Sequence, residues 1–283
     1  MTLSDGARAV LALKGGPPFE SMTAPEARAA FDAAWPLTQS PPEAPVAERC
    51  EIAGLPALRW GSGARTILYF HGGGWVVGSP RSHAAICQRL ATACHATVIA
   101  PDYRLAPEHP FPAAQQDALA CLRALPAGVI VAGDSAGGNL AAVTALCAAR
   151  DPALPQPAAQ LLFYPNTALG PYDGSRFATG FGLTADTMHW FRDQYRPDPA
   201  DWRATPLLGD PRGAAPAHVA LAGADILHDE GRAYADLLAA SGVDVQTDLW
   251  PGSLHGFLSM DRFDPAAAEA IAASAAFLDA RGI

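Results

Sequence analysis

Lysine is nearly missing from this 283-residue chain: Lys14 stands alone among 19 basic residues, all the others being arginine. Acidic residues number 28, which leaves a formal net charge of −9. A net charge of this sign argues against a nucleic-acid partner. We read the arginine bias, with the abundance of alanine, as a compositional habit of the source. No apolar run approaches the roughly 20 residues that a membrane-spanning helix needs. Met1 to Gly15 carries Asp5 and Arg8, only a short apolar run and no small-residue cleavage pattern, so a signal peptide is not expected. There are no internal repeats and no blocks of like charge. The cysteines are few and odd in number. Cys50, Cys87, Cys94, Cys121 and Cys147 lack paired spacing and sit mostly in apolar runs, as small buried hydrophobes do. Reduced thiols in a cytoplasmic protein are the expectation. No His, Cys or Asp cluster has metal-ligand spacing, and no glycine-rich loop is followed by the acidic partner of a dinucleotide site. No cofactor is expected.

Against these absences one short segment stands out. Gly128 to Ala132 reads as a buried strand, and Leu140 to Ala149 is an Ala/Leu-rich helical run. Between them lies Gly133-Asp134-Ser135-Ala136-Gly137. A serine at such a strand-to-helix turn projects its hydroxyl from a strained backbone, and the flanking glycines permit the tight geometry. The following helix aims its first amides at the same place, where negative charge would develop on an attacked carbonyl oxygen. A serine here can also act as a helix N-cap, a role that Asp134 would fill equally. We take Ser135 as the candidate nucleophile and Asp134 as a local structural group.

A serine hydroxyl needs a base, and the base needs an orienting carboxylate. Where the serine rides on such an elbow, the chain order is serine, acid, histidine. His218 to Gly223 looks like another buried strand, with Asp225 at its end. Val243 to Trp250 alternates like a strand and leads into an expected loop, Pro251 to Phe257, that carries His255. Asp229 and Glu230 compete with Asp225, but they open a helix, where acidic side chains complement the macrodipole. Seven other histidines compete with His255. His71 belongs to a glycine loop, and His83, His95, His109, His189, His218 and His228 precede the position the order allows or fall in helices and strands. Asp225 and His255 are therefore the candidates.

Upstream, Thr66 to Phe70 is strand-like and ends in His71-Gly72-Gly73-Gly74-Trp75. Successive glycines leave backbone amides unshielded, so a carbonyl oxygen can approach them. The amides of Gly73, Gly74 and Ala136 are the candidate oxyanion donors. His71 is expected to hold the loop, and Tyr103 to Glu108 to act as a structural clamp.

Along the chain, an opening hairpin (Glu48 to Ile52, Pro56 to Trp60) is followed by alternating strand-like and helix-like runs. This predicts an α/β chain whose mostly parallel sheet is covered by helices on both faces. The alternation breaks off between Asn166 and Leu208, where aromatics gather at Tyr172, Phe177, Phe181, Trp190, Phe191, Tyr195 and Trp202. We expect a core of residues 46–165 and 209–283, and a small helical cap formed by an N-terminal part, 1–45, and an insertion, 166–208. An aromatic-rich cap suits the hydrocarbon portions of a ligand, although any one of these rings can equally serve packing alone.

With these pieces in order, the chain resembles the bacterial hormone-sensitive-lipase-like esterases (family IV) of the α/β-hydrolase superfamily. The resemblance is carried by His71-Gly72-Gly73-Gly74-Trp75, by the run from Asp102 to Ala114, by Gly133 to Leu140, by Asp225-Ile226-Leu227-His228-Asp229-Glu230-Gly231, and by His255-Gly256-Phe257. It implies the α/β-hydrolase fold and a triad of Ser135, His255 and Asp225. It further implies a serine carboxylesterase that cleaves small to medium acyl esters through an acyl-enzyme intermediate, needing no metal or other cofactor. A small-molecule ester is then the partner, and a homodimer is compatible with the family. Ile226 departs from it, standing where proline is usual, and the N-terminal segment is short. An arylformamidase-like amide hydrolase would use the same machinery and is the alternative. A non-catalytic small-ligand receptor on this fold is disfavoured because all three triad positions are filled. A peptidase is disfavoured because no additional domain filters peptides.

Overall fold

The computed structural model describes residues 2–13, 15–41 and 47–283. Eight strands form one sheet: β1 (Glu48–Ile52), β2 (Leu55–Trp60), β3 (Arg65–Phe70), β4 (Ala96–Pro101), β5 (Ile130–Asp134), β6 (Ala159–Phe163), β7 (Ala217–Ala224) and β8 (Val245–Leu254). Their order across the sheet is β1-β2-β4-β3-β5-β6-β7-β8. The first two are antiparallel additions at one edge, and every pairing from β4 to β8 is parallel. Parallel strands buried on both faces need apolar residues throughout, which explains the unbroken runs in the sequence. Along β3, Leu68 and Phe70 enter one core while Ile67 and Tyr69 enter the other. The first core lies beneath α4 (Ala113–Arg123), α5 (Ala136–Arg150) and α7 (His228–Ala240), and the second beneath α3 (Ala84–Ala93) and α8 (Ala266–Ala280).

One expected loop is a strand. β8 continues through Pro251 to Leu254 instead of ending at Trp250. Proline cannot donate to a ladder, but β8 is an edge strand, where a missing donor is tolerated. The register shift between Ala222 and Ala224 absorbs the irregularity, and Gly223 leaves room for the Pro251 backbone.

The long connection from β6 to β7 carries α6 (Ala185–Tyr195), capped by the Thr184 hydroxyl, which accepts from the Thr187 amide. Met188, Phe191 and Tyr195 recur at helical spacing and are buried. Tyr195 stacks on Trp75 of the glycine loop, with centroids 4.2 Å apart and planes 2° from parallel. The N-terminal segment holds α1 (Asp5–Leu13) and α2 (Ala24–Thr38), and the expected boundary at 45/46 lies outside the described residues. It meets α6 directly: Phe19 packs on Trp190 and Phe191, and Thr187 donates to Glu20 at 3.0 Å. Arg28 of α2 reaches the body, donating to the carbonyls of Val76 and Ala106 at 2.8 Å each and pairing with Glu108. Among the described residues no helix is long and apolar enough to cross a membrane.

Because β3 and β5 to β8 run parallel, their C-terminal ends share one edge. The glycine loop, Ser135, Asp225 and His255 follow β3, β5, β7 and β8 respectively.

Candidate active site

Ser135 has φ 53° and ψ −116°, a left-handed backbone that side-chain-bearing residues rarely adopt. Three hydrogen bonds hold it there: its amide donates to Phe163 O (2.9 Å), and its carbonyl accepts from Asn139 (3.0 Å) and Asn166 (3.1 Å). The elbow is tight enough to require glycine on both sides. A Cβ on Gly133 would lie 2.7 Å from Phe70 O, and one on Gly137 would lie 2.7 Å from His71 O.

The three candidate side chains meet. Ser135 Oγ is 2.9 Å from His255 Nε2, and His255 Nδ1 is 2.8 Å from Asp225 Oδ2. Asp225 is buried, and its Oδ1 accepts from the Leu227 amide at 2.9 Å, which fixes the carboxylate plane. The imidazole packs edge-on against Tyr164, which leans in turn on Phe257. The rival acids lie elsewhere. Asp229 is exposed, and Glu230 accepts from the amides of Thr167 and Ala168 at 2.7 and 3.0 Å. Burial pushes the Glu230 carboxyl up to about 8. Glu230 is thus a tie between α7 and the root of the β6–β7 connection, which its place in a helix's first turn did not reveal.

On the upstream side, the amides of Gly73 and Gly74 donate to no described residue. Ala136 is the first residue of α5, so its amide precedes the helix's internal bonds. His71 is fully buried, pushed down to about 3 by desolvation and by the neighbouring His83. Its ring stacks on Tyr103 at 4.2 Å, its Nδ1 lies 2.8 Å from Gly72 O, and the Tyr103 hydroxyl donates to His71 O at 2.7 Å. A neutral buried ring so enclosed is a loop support. Asp134 does not cap α5; it ties the elbow to its surroundings. Its Oδ1 accepts from Tyr69 (2.7 Å) and from the Gly72 amide (2.8 Å), so one carboxylate joins the elbow to the glycine loop. Burial alone would raise this carboxyl, but His83 and Tyr69 overbalance it and hold it below its ordinary range. The sequence placed Phe191 among the cap aromatics without showing what it touches: its ring lies against Gly74, where a Cβ would meet its Cδ2 at 2.6 Å and other ring atoms closer still.

A second serine–histidine–aspartate arrangement occurs in the fold and is chemically different. His218 lies 2.9 Å from Ser274 Oγ and 3.0 Å from Asp248. Ser274 is fully buried within α8 and donates to Ala270 O, so it has neither a strained turn nor access. Among the described residues, no group of three His, Cys, Asp or Glu could hold a metal ion.

Residues 67–259 match the family model described as the alpha/beta hydrolase fold. The chain belongs to that family. The expected fold class and the hormone-sensitive-lipase-like resemblance are both borne out. The chain is 42% identical over 231 residues to the carboxylic ester hydrolase LipN of Mycobacterium tuberculosis, which covers 73% of this chain and 61% of that protein. It is 41% identical to an ethyl acetate hydrolase of Pseudomonas putida, covering 69% of this chain and 66% of that one. The matched part thus spans less than two thirds of either relative. Among solved structures, an ester-hydrolase from the metagenome of Lake Arreo, complexed with a derivative of bipyridine phosphonate, superposes with a TM-score of 0.90 at 35% identity. That match covers 99% of each chain.

Proposed function

We propose that this α/β hydrolase is a serine carboxylesterase for small to medium acyl esters, working through an acyl-enzyme intermediate. The observation that carries the reading is the unbroken relay from Ser135 Oγ through His255 to Asp225, with contacts of 2.9 and 2.8 Å. In the reaction, Ser135 Oγ attacks the ester carbonyl while His255 Nε2 takes its proton. The oxyanion is received by the amides of Gly73, Gly74 and Ala136. His255 returns the proton to the leaving alkoxide, and the acyl group stays on Ser135. Water then adds to the acyl carbon with His255 again as base, the acid departs, and Ser135 regains its proton. Asp225 fixes the tautomer that leaves Nε2 free to accept, and stabilises the imidazolium that forms.

Residues 1–45 and 166–208 are proposed as a two-part cap. The contacts of Phe19 and Glu20 with α6, and the stacking of Tyr195 on Trp75, support it. The names of the relatives, a carboxylic ester hydrolase and an ethyl acetate hydrolase, favour esters over other acyl compounds. Five unpaired cysteines favour a reducing, cytoplasmic setting. Hydrolysis of p-nitrophenyl butyrate by wild type beside Ser135→Ala tests the reading. Turnover should vanish in the variant, and equal rates would refute the proposal.

A further inference from the structure

β8 is the last strand of the sheet, yet its C-terminal end delivers His255. Edge strands lack a neighbour on one side. Here the register shifts opposite Ala222 and Ala224, and Pro251 has no amide to donate, close to where the imidazole must be fixed. Support comes from outside the sheet. Ser4, at the start of α1, donates its amide to Gly252 O at 3.0 Å, and its hydroxyl reaches Asp264 Oδ2 at 3.4 Å. The same carboxylate oxygen accepts from Ser253 Oγ at 2.8 Å. The other oxygen accepts from the amide of Ala266, the first residue of α8, at 3.2 Å.

Ser253 and Asp264 are 3% and 2% exposed, so water cannot substitute for the bond between them. They flank the loop that contains His255, and one buried carboxylate closes its neck. α1 lies over this knot: Gly6 approaches the Phe263 backbone so closely that a Cβ would lie 2.7 Å from its carbonyl carbon. Nothing in the spacing of Ser4, Ser253 and Asp264 announces the arrangement.

We propose that Asp264, with Ser253 and Ser4, is a positioning unit that holds His255 in line with Ser135 and Asp225, making the N-terminal segment part of the catalytic apparatus. This rests on the triad reading above. Asp264 acts through the loop and touches no reacting atom, so a small displacement of the imidazole is what its loss should cause.

The test uses two variants of the full chain. Ser253→Ala removes one hydroxyl, and Ser4→Pro removes both the amide donor and the hydroxyl. Each is read by kcat and KM on p-nitrophenyl butyrate, and by the downfield proton resonance of His255 Nδ1–H against Asp225. The expected result is a kcat lower by about tenfold with KM nearly unchanged, part of the roughly hundredfold that a full ångström of misplacement can cost. The downfield resonance should broaden or shift in both variants. A resonance and kcat that stay as in wild type would overturn the proposal, even if the melting temperature fell. If wild type shows no Ser135-dependent turnover, the esterase reading fails separately. The resonance then decides the positioning claim alone, since it needs only His255 against Asp225.

Discussion

Gly74→Ala probes the contact between the glycine loop and α6. Gly74 has φ +58°, so alanine there carries left-handed strain of about 1–2 kcal/mol. Its methyl would also fall inside the ring of Phe191, 2.6 Å from Cδ2 and closer to Cγ. Phe191 is buried and flanked by Phe19 and Trp190, so it cannot swing freely away. Overpacking of this kind costs a further ~1–3 kcal/mol. The two effects separate in a double-mutant cycle with Phe191→Ala, which removes the ring and leaves the backbone strain. In wild type, Gly74→Ala should cost about 2–5 kcal/mol in urea unfolding, but only about 1–2 kcal/mol in the Phe191→Ala background. The coupling of about 1–3 kcal/mol is then the overlap with the ring. Esterase rates measured alongside should fall by about a hundredfold or more in Gly74→Ala if the displaced loop loses one oxyanion donor. Equal costs in both backgrounds would refute the reasoning, because they would mean that the ring does not limit the loop.

Two further perturbations address the acids. Asp225→Asn keeps the shape but favours the tautomer that points a proton at Ser135, so kcat at neutral pH should fall by roughly ten-thousandfold. A loss of only a few-fold would remove Asp225 from its role. Glu230 holds its proton to about 8 in the folded chain, whereas an unfolded carboxyl releases it near the ordinary range. Its contribution is therefore present at low pH and lost as pH rises through about 8. Glu230→Gln has no proton to lose, so its melting temperature should gain a few degrees on wild type between acidic pH and about pH 9. A constant gap across that range would contradict the assignment.

The strands were legible in the sequence because burial on both faces forces apolar runs, as in Thr66 to Phe70. The elbow was legible because close backbone approach demands glycine at 133 and 137, leaving a dense local signature. Chain order then singled out Asp225 and His255, each after a parallel strand, and the fold brings both side chains together with Ser135. Pro251 misled because its penalty depends on whether a strand is central or at an edge, and only the sheet order decides that. The contacts of Arg28, Asp134, Phe191, Glu230 and Asp264 carry no signal in the sequence. Each acts through a partner brought near by the tertiary fold: Gly72 for Asp134, Gly74 for Phe191, Ser253 for Asp264. A hydrogen bond between distant residues leaves no periodicity to read.

The central claim is that Ser135 is the nucleophile, and covalent capture tests it most directly. A p-nitrophenyl alkylphosphonate transfers its phosphonyl group to an attacking oxygen and releases p-nitrophenol, leaving an adduct that hydrolyses slowly. The expected result is one equivalent of p-nitrophenol per chain, a single adduct that peptide mass mapping assigns to Ser135, and loss of ester turnover in step with labelling. Continued turnover with Ser135 unlabelled, or an adduct on another residue that abolishes activity, would contradict it.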